Sequence, residues 1–316
     1  MLAASSLALP ERATRPVFAT GAMPVYAGLA LAWAALPVLL AVEGLRIAAD
    51  EFGIVAGALA LIVWVALCVR GRGFVRVAAA IEAWVLYLAV CMTAMLLSLV
   101  LAASGHPLID ASLAQVDRAM LPGFDWREAM LEFSRSGRPY ALASASYRSI
   151  LWQPHLLIVV LAWTGADRRI WQFLLSWVVT LGIAVLVSGF CPAIGAYAYF
   201  GITAADIPHA ASWYNPAILE GLHSGTLTVI GLGSLDGIVT FPSFHAGAAV
   251  LLGRAFWDIR WLRWPFAVLN ALMLAAAVPI GGHYLIDILT GTGVAVAGLY
   301  VAARVMRRVC PPTSDS

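Results

Sequence analysis

Gly281-Gly282-His283-Tyr284-Leu285-Ile286-Asp287-Ile288-Leu289-Thr290-Gly291 opens an apolar helix with a histidine in its first turn and an aspartate four residues on. At 3.6 residues per turn, positions i and i+4 share a face, so Asp287 reaches one nitrogen of His283. The other nitrogen then points outward, oriented and made more basic by the carboxylate. Such a pair costs free energy in hydrocarbon, which is why intramembrane ionisable residues are read first as functional. Taken alone, the pair also reads as a polar helix cap at the lipid interface.

The rest of the chain sets that helix in a membrane. Hydrophobic residues make up 62% of 316 positions and the mean hydropathy is +0.89, far above the soluble norm. Apolar runs near 20 residues recur, each long enough to cross a bilayer core of roughly 30 Å. The expected fold is all-α, a polytopic bundle of about eight transmembrane helices over residues 26–47, 52–69, 77–103, 141–163, 170–190, 239–257, 264–280 and 284–305. Every basic residue is arginine, and the net charge of +2 gives no reason to expect a nucleic-acid partner. The groups Arg12/Arg15, Arg70/Arg72/Arg76, Arg168/Arg169, Arg260/Arg263 and Arg304/Arg307/Arg308 fall on one side of these spans. By the positive-inside rule that side is cytoplasmic, with both termini there, in what we expect to be a bacterial plasma membrane. The domain plan has cytosolic tails at 1–22 and 307–316, two accessory helices within 23–76, and a six-helix catalytic core at 77–306. Four cysteines without paired spacing read as free thiols.

A second stretch, Phe241-Pro242-Ser243-Phe244-His245-Ala246-Gly247, also puts a histidine in the first turn of an apolar helix. In the topology above, His245 and His283 both begin helices running inward, so both lie at the extracytoplasmic face. Helix N-termini present free N–H groups and about half a positive charge, which suits phosphate. Gly281 and Gly282 would let the backbone approach it closely.

These two stretches carry a resemblance to the type 2 phosphatidic acid phosphatase superfamily, whose second motif is Pro-Ser-Gly-His and whose third ends in His-x-x-x-Asp. The FPSFHAG and GGHYLIDILTG forms are most similar to the inositolphosphotransferase branch, which includes inositol phosphorylceramide synthases. The resemblance extends from Leu108–Trp126 to about residue 305. It implies a phospholipid or lipid phosphate substrate, with water or a small alcohol or polyol as acceptor, and neither cofactor nor metal. It also implies His283 as the nucleophile that forms a phosphohistidine, Asp287 as its partner, and His245 as acid and then base. The superfamily's first motif is missing: Arg138-Pro139 matches only its end, with Leu131 where lysine should stand. Its third-motif Ser-Arg is replaced by Ala276 and Ala277.

Other residues are candidates for holding substrate. Arg148, in Tyr147-Arg148-Ser149-Ile150-Leu151-Trp152-Gln153-Pro154-His155, would clamp phosphate oxygens in pairs or else snorkel to the interface. Pro154 should kink that span, and Arg148 and His155, seven apart, would share a face. Gln153, Ser243, Gly282 and His223 complete the substrate-binding set. His223 lies in an outer loop, 191–238, whose Tyr197, Tyr199, Phe200, Trp213, Tyr214 and His209 suit the headgroup layer or a lid. Residues 106–137 carry apolar stripes (Ile109, Leu113, Val116, Met120; Trp126, Met130, Phe133) opposite Asp110, Asp117, Arg118, Arg127 and Glu128. They read as helices lying on the outer membrane surface. Glu43 and Glu82 read as interface-exposed at span ends. Two other functions fit the same residues: a metal-dependent hydrolase ligated by His245, His283 and Asp287, and a non-enzymatic transporter or scaffold.

Overall fold

A computed structural model describes residues 18–208, 210, 215–235 and 238–310. Residues 1–17 and 311–316 of the expected tails, and His209, Trp213 and Tyr214, lie outside the described residues. Thirteen α-helices occur among the described residues. They are α1 (Met23–Val42), α2 (Ala49–Gly71), α3 (Val75–Ala102), α4 (Asp110–Met120), α5 (Trp126–Ser134), α6 (Arg138–Arg148), α7 (Gln153–Trp163), α8 (Asp167–Phe190), α9 (Ala196–Tyr199), α10 (Asn215–His223), α11 (Phe244–Trp257), α12 (Arg263–Ala276) and α13 (Leu285–Val309). A single two-residue parallel pairing, β1 (Arg46–Ile47) with β2 (Val229–Ile230), ties the α1–α2 turn to the long loop before α11.

The all-α membrane-type bundle is therefore present, but five helices rather than eight are long and apolar enough to cross a bilayer: α1 with its preceding turn, α2, α3, α8 and α13. Helices α11 and α12 have 14 residues each. At about 1.5 Å per residue such a helix rises roughly 21 Å, short of a hydrocarbon core. The expected span 141–163 is broken into α6, a 3-10 turn (Ser149–Leu151) and α7. Pro154 does not kink a continuous helix; it occupies the first turn of α7, where its missing N–H costs nothing. Arg148 and His155 consequently share no face, and His155 turns to α3, accepting from Trp84 Nε1 at 2.8 Å.

Small residues bring three helices together. A Cβ on Gly291 would stand 2.1 Å from the Ser243 carbonyl oxygen, and one on Gly298 would stand 2.2 Å from Thr180 Oγ1. Backbone contact of this kind is how membrane helices gain packing energy where water supplies no hydrophobic drive. It sets α13 against both α8 and the start of α11. Trp177 of α8, fully buried, fills the centre between Tyr87 of α3 and Phe244 of α11.

The arginine-bearing turns do meet at one end of the bundle: Arg76 reaches Gly165, Arg168 donates to the Cys310 carbonyl and Arg169 to that of Ala255. Two other expectations are corrected. Glu82 is not interface-exposed but 3% accessible. Arg70 of α2, the Tyr26 hydroxyl of α1 and the Ala19 N–H all donate to it, since α1 and α2 flank α3 on that side. Asp110 and Asp117 of α4 are likewise buried, not solvated.

Candidate active site

His245 and His283 are brought together by two adjacent helix starts. The Ser243 N–H donates to the Asp287 carbonyl at 3.1 Å, fastening the N-cap of α11 to the first turn of α13. Asp287 is fully buried, and its Oδ2 accepts from His283 Nδ1 at 3.3 Å and from the Tyr284 N–H at 2.9 Å. One carboxylate oxygen therefore both caps α13 and holds the imidazole.

Tyr147, the penultimate residue of α6, completes the cluster. Its ring stacks on His245, and its hydroxyl is hydrogen-bonded to His245 Nδ1 at 3.1 Å. A Cβ built on Gly281 would lie 2.8 Å from both the Tyr147 hydroxyl and His283 Cδ2, so these two groups are within twice that distance of each other. Gly281 is thus the one residue type that fits between them. Each imidazole spends Nδ1 on a protein partner, and neither Nε2 has a hydrogen-bond partner among the described residues. Two buried hydroxyls at the margin, Tyr140 and Thr240, also lack partners. Tyr140 packs against the apolar cluster that contains Tyr147.

The start of α13 is not an open anion site. Asp117 accepts from the Leu285 N–H at 2.7 Å and the Ile286 N–H at 3.0 Å, and the Asp287 N–H donates to the Tyr284 carbonyl. Asp110 accepts from the Tyr284 hydroxyl at 3.0 Å and from the N–H groups of Ile194 and Gly195. Burial pushes the Asp110 carboxyl above the usual carboxylate range, while those N–H and hydroxyl donors hold it down. The two aspartates of α4 thereby fix the turn that carries His283. The outer loop adds a wall: the Tyr197 hydroxyl donates to the Pro279 carbonyl, and Phe200 stacks on Trp126 at 5.1 Å.

The expected substrate-binding residues are placed as follows. Arg148 ends α6 exposed, one residue past Tyr147, with its charge felt at Tyr140. The Ser243 hydroxyl caps α11, accepting from the Ala246 N–H at 3.3 Å. Gly282 adopts φ +65, its N–H donating to Val278 and its carbonyl accepting from Ala196. Gln153 is fully buried in a network between α7 and α12, donating to Ser149 Oγ at 2.7 Å and accepting from Asn270 at 2.9 Å. His223 meets the Ala102 carbonyl at the far end of α3. Among the described residues no three His, Cys, Asp or Glu side chains form a group that could hold a metal ion, so the ligand set imagined for a metallohydrolase is not assembled.

A helical membrane bundle that brings two histidines to one buried tyrosine, with a carboxylate behind one of them, has the equipment of a phosphoryl-handling enzyme. Residues 111–301 match the PAP2 superfamily, and the chain belongs to it. Its members are phosphatases or phosphotransferases, which makes this a membrane phosphatase-type enzyme with a lipid phosphate as the expected kind of substrate. No curated protein and no solved structure matches the chain.

Proposed function

We propose that the protein is a lipid phosphatase or phosphotransferase, inositolphosphotransferase-like, that works through a phosphohistidine on His283 at the extracytoplasmic face. The observation that carries this reading is the meeting of Tyr147 and His283 at Gly281, with His245 stacked on and hydrogen-bonded to Tyr147 and Asp287 on His283 Nδ1.

In the first step neutral His283 Nε2 attacks phosphorus, forming a P–N bond as the P–O bond to the lipid alcohol breaks. His245, which enters the step as the imidazolium with Nδ1–H donating to the Tyr147 hydroxyl, gives its Nε2 proton to the leaving alkoxide and becomes neutral. Asp287 stays ionised and stabilises the positive charge that develops on the His283 ring. Water or a polyol then gives its proton to His245 while its oxygen attacks phosphorus, and the P–N bond breaks. Tyr147 keeps the His245 ring aligned through both steps, and its hydroxyl sits where phosphoryl oxygens would pass. Arg148 is the proposed cation at the rim, reaching the headgroup from its exposed place beside Tyr140.

The test uses purified protein in detergent with a panel of phospholipids, with and without inositol or another polyol. Free phosphate from a lipid phosphomonoester, or the headgroup monophosphate from a diester phospholipid, marks hydrolysis; a new phosphate ester of the added polyol marks transfer. An acid-labile, base-stable label on His283 is expected on rapid quench, and vanadate should inhibit. Equal turnover by wild type and His283→Ala would overturn the reading. Zinc-restorable loss of activity on chelation would replace it with metal-dependent hydrolysis.

A further inference from the structure

A charged cavity lies at the opposite end of the bundle from the histidines. Helices α8, α11 and α13 enclose a pocket of about 340 Å³ there. On α8 Arg169 and Gln172 stand beside Phe173 and Ser176, on α11 Arg254 and Asp258 give way to Leu251, and Leu299 of α13 and Leu161 of α7 complete the apolar part of the lining. A mouth lined by guanidinium groups over an apolar floor is complementary to one class of molecule, an amphiphile with an anionic head.

The charges at the mouth do not cancel. Asp258 lies 2.8 Å from Arg254 and 3.7 Å from Arg169, so one carboxylate faces two guanidinium groups. Each guanidinium carries five N–H donors in a planar fork, so a single carboxylate leaves donors over for phosphate oxygens. Arg304 adds a third cation at the rim, lying 5.0 Å over the ring of the lining residue Tyr300. The mouth also sits at the depth of a lipid headgroup. Trp257 at the end of α11, Trp261 in the turn after it and Trp264 at the start of α12 are 40%, 68% and 67% exposed, and tryptophans so placed mark the membrane–water boundary. Basic pockets between helices at that level bind anionic lipid heads.

We propose that this pocket is a second lipid site, in which Arg169 and Arg254 grip the phosphate of an anionic phospholipid and an acyl chain lies against Phe173, Leu251 and Leu299. It is separate from the histidine site and independent of the reaction assigned there. No bond is made or broken in it.

The experiment labels the purified full-length protein with a photoreactive phosphatidylglycerol. The His283→Ala background prevents turnover and separates this site from catalysis. Cross-links are mapped by peptide. Labelling is expected around Leu251 and Leu299, displaced by unlabelled phosphatidylglycerol but neither by phosphatidylcholine nor by inorganic phosphate. Arg254→Gln should weaken that labelling about fivefold, the effect of one arginine near an anionic lipid surface. Arg254 is a half-exposed surface residue, so this variant keeps the fold; Arg169→Gln, which also loses the Ala255 contact, is compared at matched melting temperature. In the otherwise wild-type chain, Arg254→Gln should leave lipid turnover unchanged. Full competition by inorganic phosphate would make the pocket a free-anion site and overturn the lipid assignment. Equal competition by phosphatidylcholine, or labelling insensitive to both arginine variants, would overturn the proposal outright.

Discussion

The ring of Tyr147 lies nearly parallel to that of His245, centroids 3.9 Å apart and planes 10° apart, with a 3.1 Å hydrogen bond between hydroxyl and Nδ1. Stack and hydrogen bond together leave the imidazole a single orientation. Tyr147→Phe keeps the stack and loses the bond, so kcat should fall about tenfold, the worth of one buried hydrogen bond. The pH dependence of kcat should move with it, because a hydrogen bond at Nδ1 favours one protonation state of the ring over the other. Tyr147→Leu should cost more. A Phe variant with unaltered kcat and pH profile would mean that the hydroxyl plays no part in the reaction.

Gly281 offers a steric test. Its missing Cβ lets the Ala277 carbonyl, His283 and Tyr147 crowd around one point, where a Cβ would stand 2.7–2.8 Å from each. Gly281→Ala must push at least one of them by several tenths of an ångström, and misplacement near 1 Å in such a site costs about a hundredfold. Gly293→Ala, a change in the same region of the chain that meets nothing within 4 Å, should leave turnover intact. Comparing the two in one lipid assay separates crowding at the site from a general effect of removing glycine.

Asp117 is expected to act on His283 without touching it. Removing its carboxylate in Asp117→Ala strands the Leu285 and Ile286 N–H groups and should cost about 1–3 kcal/mol of stability. Turnover should drop as the α13 start loosens, with Asp117→Asn intermediate because its one remaining oxygen can still accept. Thermal melts and turnover measured on the same preparations check the pairing of the two effects.

Gln153 distinguishes packing from substrate contact. In Gln153→Leu the Asn270 amide loses one of its two acceptors, keeping the Phe266 carbonyl, and Ser149 Oγ loses its donor, which should lower stability by about 1–3 kcal/mol. KM for any turned-over lipid should stay as in wild type. A raised KM at unchanged melting temperature would return Gln153 to the substrate-binding residues.

The histidines and Asp287 were legible in the sequence because i,i+4 spacing and a helix-opening motif are local features, and local geometry survives in any fold. Tyr147 was not. It stands beside an arginine that attracts attention on charge alone, and only the break of α6 at Ser149–Leu151 turns the tyrosine inward and the arginine out. Ala277, where the superfamily carries arginine, packs in the cluster that holds Tyr147, a substitution whose meaning depends on a residue 130 positions away. Asp110 and Asp117 were misread for a related reason. An amphipathic period says that two faces differ, and it cannot say that the polar one meets the N–H groups of another helix. Hydropathy placed the long spans correctly, while α11 and α12, whose ends fray into turns beside the site, fall short as crossings.

The Glu82 carboxylate bears on where the protein can be cut. The superfamily match begins at residue 111, and α1 and α2 precede it. Yet Glu82, deep on α3, draws its donors from Arg70, Tyr26 and Ala19, all upstream of α3. A chain shortened to the matched family region plus α3 would carry the Glu82 carboxyl without its three donors, and an unpartnered polar group buried in a membrane segment costs free energy. The leading hairpin is thus part of the smallest unit able to stand alone.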